Sequence, residues 1–170
     1  MIKQDILENQ VKSIYLGIGS NLGNKKSNIE KAKFKLFQSN IKILKSSSYY
    51  ESLSWPNSNK PKFLNIVLKI STSLSPIKLI KLCKSIEKSL GRKKALRNSP
   101  RICDIDILDY NRKLINKELI LPHPRLDRRN FVLLPLFELD KGWIHPLSKL
   151  HIKTLIHYLS NRDITSIKLI

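Results

Sequence analysis

Cysteine is nearly absent from this 170-residue sequence, which holds only Cys83 and Cys103. Two thiols exclude a disulfide framework, and the absence of a CxxC pair or a zinc-like Cys/His spacing excludes a structural metal knot. Long apolar runs are missing too. Nothing approaches the roughly 18 residues that span a bilayer, and Met1 to Val11 is polar and mixed in charge rather than an apolar export signal. A reduced, cytoplasmic setting with no membrane partner is therefore expected. Glycine is limited to 5 residues, none of them followed by Lys-Ser or Lys-Thr at the offset of a P-loop. Acids are also few, 13 against 32 Lys and Arg, for a net charge of +19.

What is present is an ordinary globular balance, 41% hydrophobic and 26% charged, enough to bury one domain core. A surplus of +19 commonly points to nucleic acid, an anionic membrane or a polyphosphate. Its distribution narrows the choice. Lysine accounts for 24 of the bases and is spread over nearly the whole chain, beside 23 Ile and only 2 Ala. This skew resembles drift toward AT-rich codons, so most Lys need no ligand to explain them. Arginine runs the other way. Arg92, Arg97, Arg101, Arg125, Arg128 and Arg129 are concentrated between positions 92 and 129, and their planar forks suit paired phosphate oxygens.

No internal repeat is found, and the Ser/Asn/Pro-rich stretches 52–62 and 97–100 read as surface loops. A strand is expected over 13–18, a turn over 19–23, and a helix over 24–38 with Ile29, Ala32 and Leu36 on one side. A second strand follows over 41–50. Residues 63–70 alternate, with Leu64, Ile66, Leu68 and Ile70 on one buried face. Ser75 and Pro76 provide a cap and a first-turn proline, Leu79, Leu82, Ile86 and Leu90 keep helical spacing, and Gly91 stops the helix. A fourth strand covers 102–108. The order predicts an α+β, ferredoxin-like βαββαβ antiparallel sheet with helices on one face. A single domain over 13–170 follows an N-terminal extension, 1–12. Its C-terminal extension holds a short hairpin or extended segment over 112–121 and helices over 130–139 and 151–159, expected to pack around the same core.

Strand parity sorts the candidate residues. In the fourth strand Cys103, Ile105 and Ile107 point one way, and Asp104 and Asp106 the other. Two carboxylates on one face need a cation. Mg²⁺ bridging to a phosphate fits, since it takes one or two carboxylates and completes its shell with water and phosphate oxygens; a solvated face paired to the neighbouring arginines is the alternative. In the third strand Phe63 and Asn65 share that side, an aromatic face beside an amide that donates and accepts, as a flat heteroaromatic ring requires. Gly17-Ile18-Gly19-Ser20-Asn21-Leu22-Gly23 invites a dinucleotide reading, with Glu51 on ribose. Its third glycine comes one residue late, however, so a tight turn is the better reading. His123, between Pro122 and Pro124, suits either a phosphate or ribose contact or a structural turn.

These strings occur together in one order: Gly19-Ser20-Asn21-Leu22-Gly23, Phe63-Leu64-Asn65, Ile86-Glu87 with Gly91-Arg92, Pro100-Arg101 with Asp104-Ile105-Asp106-Ile107-Leu108, and Pro122-His123-Pro124 with Arg129 and Phe131. The set resembles the 6-hydroxymethyl-7,8-dihydropterin pyrophosphokinase family of folate biosynthesis, whose fold is ferredoxin-like. The resemblance implies transfer of pyrophosphate from ATP to the pterin hydroxymethyl oxygen, with release of AMP. It implies Asp104 and Asp106 as ligands of two Mg²⁺ ions, and Ser52, Leu53, Phe63, Asn65 and Phe131 around the pterin. Arg92 and Arg101 would grip the phosphates. Glu87, Lys94, Ile107, His123 and Arg129 would complete the ATP side, with ATP and the pterin as the partners of a monomer. Phe63 stands where many relatives carry Tyr, and the segment between Arg92 and Arg101 is one residue shorter than in some relatives. A basic RNA-binding module of the same topology is the competing class, but it wants aromatics on the central strands where this chain has Asp104 and Asp106. No specific nucleic acid is therefore expected. A nicotinamide-dependent oxidoreductase is disfavoured by the lack of further βαβ units, and failure to bind a nicotinamide cofactor would dispose of it.

Overall fold

The computed structural model describes residues 13–54, 59–92 and 99–170; the expected N-terminal extension and Lys94 lie outside the described residues. The central strand β1 (Ile14–Ser20) pairs antiparallel with β4 (Phe63–Ser71) on one side and β5 (Asp104–Tyr110) on the other. Helices α1 (Lys25–Gln38) and α2 (Pro76–Ser89) pack on one face. The expected βαββαβ topology is therefore found.

Both helices begin where side-chain oxygens replace the missing backbone acceptors. Asn24 accepts from the Ser27 N–H and Ser75 from the Lys78 N–H, with Pro76 in the first turn. Gly91, at φ +98°, turns the chain out of α2 in a conformation that favours glycine. Ile14, Leu16, Ile18, Leu64, Ile66, Leu68, Ile105 and Ile107 meet Ile29, Ala32, Leu36, Leu79, Cys83 and Ile86 in the main core. Burial pushes the Cys83 and Cys103 thiols up to about 12, so both act as small apolar residues.

The second strand departs from expectation by dividing into β2 (Lys42–Ser46) and β3 (Tyr50–Ser52). β2 pairs with the far end of β4 and β3 with its start. Side chains make the break: Ser47 Oγ accepts from the Val67 N–H at 2.9 Å, and the Ser48 N–H donates to Glu138 at 2.9 Å. The hairpin strands β6 (Ile115–Asn116) and β7 (Ile120–Leu121) lie within the expected segment. β8 (Lys168–Leu169), which the sequence did not suggest, extends the sheet beyond β3.

The helices of the C-terminal extension do not join the main core, whereas its hairpin does, through Leu121. Helices α3 (Asn130–Leu139) and α4 (Ile152–His157) cover part of the opposite face and build a second core with Tyr15, Val67, Leu108 and Trp143. The reason is in the outward parity: Tyr15 and Val67 are apolar and aim away from α1 and α2, so half of that face needs a cover. α3 supplies it, with Val132, Leu133 and Leu136 buried. A register shift between Tyr15 and Leu16 adds one residue to β5. This bulge lets Leu108 and Asp109 both serve the outer side before Tyr110 returns to the main core. Asp109 is buried there and accepts from the Trp143 indole N–H at 2.9 Å. The other half of the outer face stays polar and uncovered.

Candidate active site

That uncovered half is the floor of a cavity of about 750 Å³. Gly17 and Gly19 form its base within β1 rather than in the turn, where the sequence reading put Gly19. A Cβ on Gly17 would come within 3.3 Å of Leu108, and one on Gly19 within 3.1 Å of Asn65 Oδ1. Only their lack of a side chain keeps the floor low. Of the glycines in this stretch, Gly23 alone has the positive φ expected of a turn, +66°.

Asp104 and Asp106 rise from β5 on the cavity side, as parity required. Arg92 Nη1 donates to Asp104 Oδ1 at 2.6 Å and Arg101 Nη1 to Asp104 Oδ2 at 3.0 Å. Around Asp106 stand Lys84 at 3.8 Å, His123 at 3.7 Å and Arg129 at 3.9 Å. Burial works against the Asp104 carboxylate, but Arg101, Arg92 and Lys84 outweigh it and hold its pKa below the usual range. His123 is pushed the other way, since burial, with Arg129 and Arg125, outweighs Asp106 and lowers its pKa. It is neutral at pH 7. Because Nδ1 accepts from the Arg125 N–H at 3.2 Å, the ring proton sits on Nε2, the nitrogen nearest Asp106.

Five cations, Lys84, Arg92, Arg101, Arg125 and Arg129, line the cavity against the two carboxylates Asp104 and Asp106. The surplus suits a polyanion. The Arg101 Nε–H is buried with no hydrogen-bond partner among the described residues, an open donor beside the same space. No third carboxylate, His or Cys joins the aspartates as a metal-holding group among the described residues. Hard oxygens in a pair suit a cation that takes its other ligands from substrate and water.

The same cavity is also lined by aromatic and amide side chains. Asn65, only 6% exposed, donates through Nδ2 to Ser52 Oγ at 3.0 Å and to the Tyr50 carbonyl at 3.3 Å. Phe63 and Phe131 each lie under a guanidinium, Arg101 at 5.9 Å and Arg129 at 5.4 Å from the ring centres. Ser52, Leu53, Phe63, Asn65, Arg92, Arg101, Asp104, Asp106, Arg129 and Phe131 thus line one cavity. Glu87, Ile107 and His123 are not among its lining residues. Ile107 points into the main core. Glu87 is buried at the open edge of β5, where Oε1 accepts from the Ile105 N–H at 2.6 Å and Oε2 from Arg92.

Sequence reading missed Lys84. Its ammonium donates to Glu87 at 2.8 Å and to the Ile105 carbonyl at 3.3 Å, so this pair seals the edge of β5 as a neighbouring strand would. The i,i+3 spacing of Lys84 and Glu87 on α2 was the available signal. The second core covers much of the sheet face that an RNA-binding module would need free.

An α+β sheet carrying a paired-carboxylate, cation-rich cavity that is also lined by aromatic and amide side chains has the groups to hold a polyphosphate beside a flat ring. Residues 15–141 match the model of the 7,8-dihydro-6-hydroxymethylpterin-pyrophosphokinase (HPPK) family. The 2-amino-4-hydroxy-6-hydroxymethyldihydropteridine pyrophosphokinase of Aquifex aeolicus (strain VF5) is 43% identical over 142 residues, 83% of this chain and 88% of that protein. Folic acid synthesis protein fol1 of Pneumocystis carinii is 42% identical over 154 residues, 90% of this chain, which spans only 21% of that longer protein. Among solved structures, Plasmodium falciparum HPPK-DHPS A437G/K540E with pterin and p-hydroxybenzoate shares the fold at a TM-score of 0.73 and 16% identity, over 95% of this chain and 48% of that one. The chain belongs to the HPPK family of ATP-dependent pyrophosphokinases.

Proposed function

We propose that this chain transfers the β,γ-pyrophosphoryl group of ATP to the hydroxymethyl oxygen of 6-hydroxymethyl-7,8-dihydropterin. The bond between the α,β-bridging oxygen and the β-phosphorus breaks, AMP leaves with that oxygen, and the pterin hydroxyl passes its proton to water as the new O–P bond forms. The observation that carries this reading is that five cations face only Asp104 and Asp106 in one cavity that Phe63, Asn65 and Phe131 also line.

Asp104 and Asp106 would hold two Mg²⁺ ions, which supply charge neutralisation of the triphosphate and a template for the attacking oxygen. Arg92 and Arg101 exchange a carboxylate partner for phosphate oxygens and stabilise charge on the transferring group. Arg129, His123 and Lys94 address the nucleotide, His123 through its Nε2–H donor, while Glu87 acts only through its bond to Arg92. Asn65 reads the pterin edge, Phe63 and Phe131 sandwich the ring, and Ser52 and Leu53 close the wall. No protein nucleophile is needed, because the work is positioning and electrostatics. The chain acts as a cytoplasmic monomer.

The test is AMP release from Mg-ATP with and without the reduced hydroxymethylpterin, with simple alcohols as alternative acceptors. AMP formed only with the pterin is expected. ADP as the product would overturn the reading, and a sedimentation measurement showing a stable dimer would overturn the monomer.

A further inference from the structure

Asn21 is 4% exposed, and its hydrogen bonds run to Arg101, which lines the cavity, and to Ser54 and Pro61, which do not, rather than to its own turn. Its backbone N–H donates to the Arg101 carbonyl at 3.1 Å, and its Oδ1 accepts from the Arg101 N–H at 2.7 Å. Its Nδ2 donates in the other direction, to the Pro61 carbonyl at 3.1 Å and to Ser54 Oγ at 3.4 Å. The Ser54 hydroxyl itself donates to the same Pro61 carbonyl at 2.7 Å. The turn beneath is fixed independently, since Asn28 Nδ2 donates to the Leu22 carbonyl at 2.8 Å and to Ser20 Oγ at 3.2 Å.

One amide thus ties together segments far apart in sequence. One side continues into Ser52 and Leu53. The other begins at Arg101, whose side chain reaches Asp104 at 3.0 Å and covers Phe63 at 5.9 Å. A primary amide does what neither carboxylate nor hydroxyl can do at this length, accepting from an N–H while donating to two oxygens.

We propose that Asn21 is a positioning residue that braces the ring-binding wall and the phosphate-binding arginine from one amide, the Oδ1 arm aiming Arg101 and the Nδ2 arm holding the ring-binding wall. The names of the wall and of the arginine rest on the function proposed above; the bridge does not. A misplacement of about 1 Å at such a group can cost about 10²-fold in rate.

Asn21→Asp separates the arms. It keeps the acceptor for the Arg101 N–H and loses both donors. In the ligand-free full chain, hydrogen exchange is expected to quicken at 59–63 and to stay unchanged at 99–103. The pterin KM should rise by about tenfold with kcat within about twofold. Asn21→Ala should quicken exchange in both segments and lower kcat by about 10²-fold, so the carboxylate variant rescues kcat but not KM. Equal kcat losses in the two variants, or exchange unchanged in both, would overturn the proposal. Should Asn21→Ala fail to unfold cooperatively, the Asp variant decides alone, because a large kcat loss there counts against separate roles for the two arms and a pure KM effect for them. A wild-type chain that makes no AMP would sink the function while the exchange pattern still judged the bridge.

Discussion

The outer face of the sheet is divided between two regions built from the same three strands. Where β1, β4 and β5 offer Tyr15, Val67 and Leu108, α3 and α4 lie over them and exclude water. Where the same strands offer Gly17, Gly19, Asn65, Asp104 and Asp106, a cavity remains. The dry half spends its apolar area on stability, and the wet half keeps charges that no folded core would choose. Strand parity places both sets on one face, so the dry half acts as a rigid mount for the wet half. Substitutions that touch one half should therefore leave the other nearly unmoved.

The sharpest break is expected at the carboxylates. Asp104→Ala and Asp106→Ala should each lower kcat by about 10³-fold or more, while the thermal unfolding midpoint moves by only a few degrees, as read by calorimetry. A double variant with near-normal turnover would remove the metal assignment. The mirror experiment is Leu133→Ala in the dry half. Leu133 is fully buried, so a loss of about 2–5 kcal/mol in denaturant unfolding is expected, with kcat per folded molecule retained. A large kcat loss would show that the two halves are not independent.

Arg92→Ala ranks next. Its guanidinium bridges Glu87 and Asp104 in the free protein, and its removal should lower kcat by about 10²-fold with little change in pterin affinity measured by fluorescence titration. Equal losses in both would argue against a role in the transition state. Lys84→Met should have a smaller effect, weakening nucleotide binding by about three- to tenfold at low salt, with the difference shrinking as salt rises, because the ammonium is partly exposed. A loss independent of salt would point to the edge-sealing bonds to Glu87 and Ile105 instead.

How much of this was legible follows the same division. The alternation of Leu64, Ile66, Leu68 and Ile70 and the Ser75-Pro76 and Gly91 boundaries of α2 are local signals, and each was readable because a neighbour in sequence enforces it. Asp104 and Asp106 were readable for the same reason, by parity along one strand. The second core was not. α3 is apolar on most of its surface, so periodicity reveals a helix without saying which sheet face it covers. Gly17 and Gly19 misled because glycines beside a turn look like part of it, whereas their role is set by Leu108, Phe63 and Asn65 from other strands. Lys84 was hidden among 24 lysines, most of them explained by composition. Only its three-dimensional position at the edge of β5 distinguishes it.

The smallest expected effect tests the border between the halves through pH. His123 follows the hairpin strand β7, its N–H donates to the Leu108 carbonyl at 2.9 Å, and its ring reaches toward Asp106. Burial, reinforced by Arg129 and Arg125, lowers its folded pKa. An unfolded His titrates near about 6.5, so below that pH the unfolded chain binds a proton that the folded chain refuses. The stability contributed by keeping the ring neutral is present above about 6.5 and is lost as pH falls through the lowered folded value. Unfolding midpoints followed from pH 7.5 to pH 5 should therefore decline more steeply for the wild type than for His123→Gln, which carries no titrating ring. Parallel curves would mean that the folded protein takes up the ring proton as readily as the unfolded chain. On acidification His123 would then join the charged half as a sixth cation rather than stay at the border as a neutral donor.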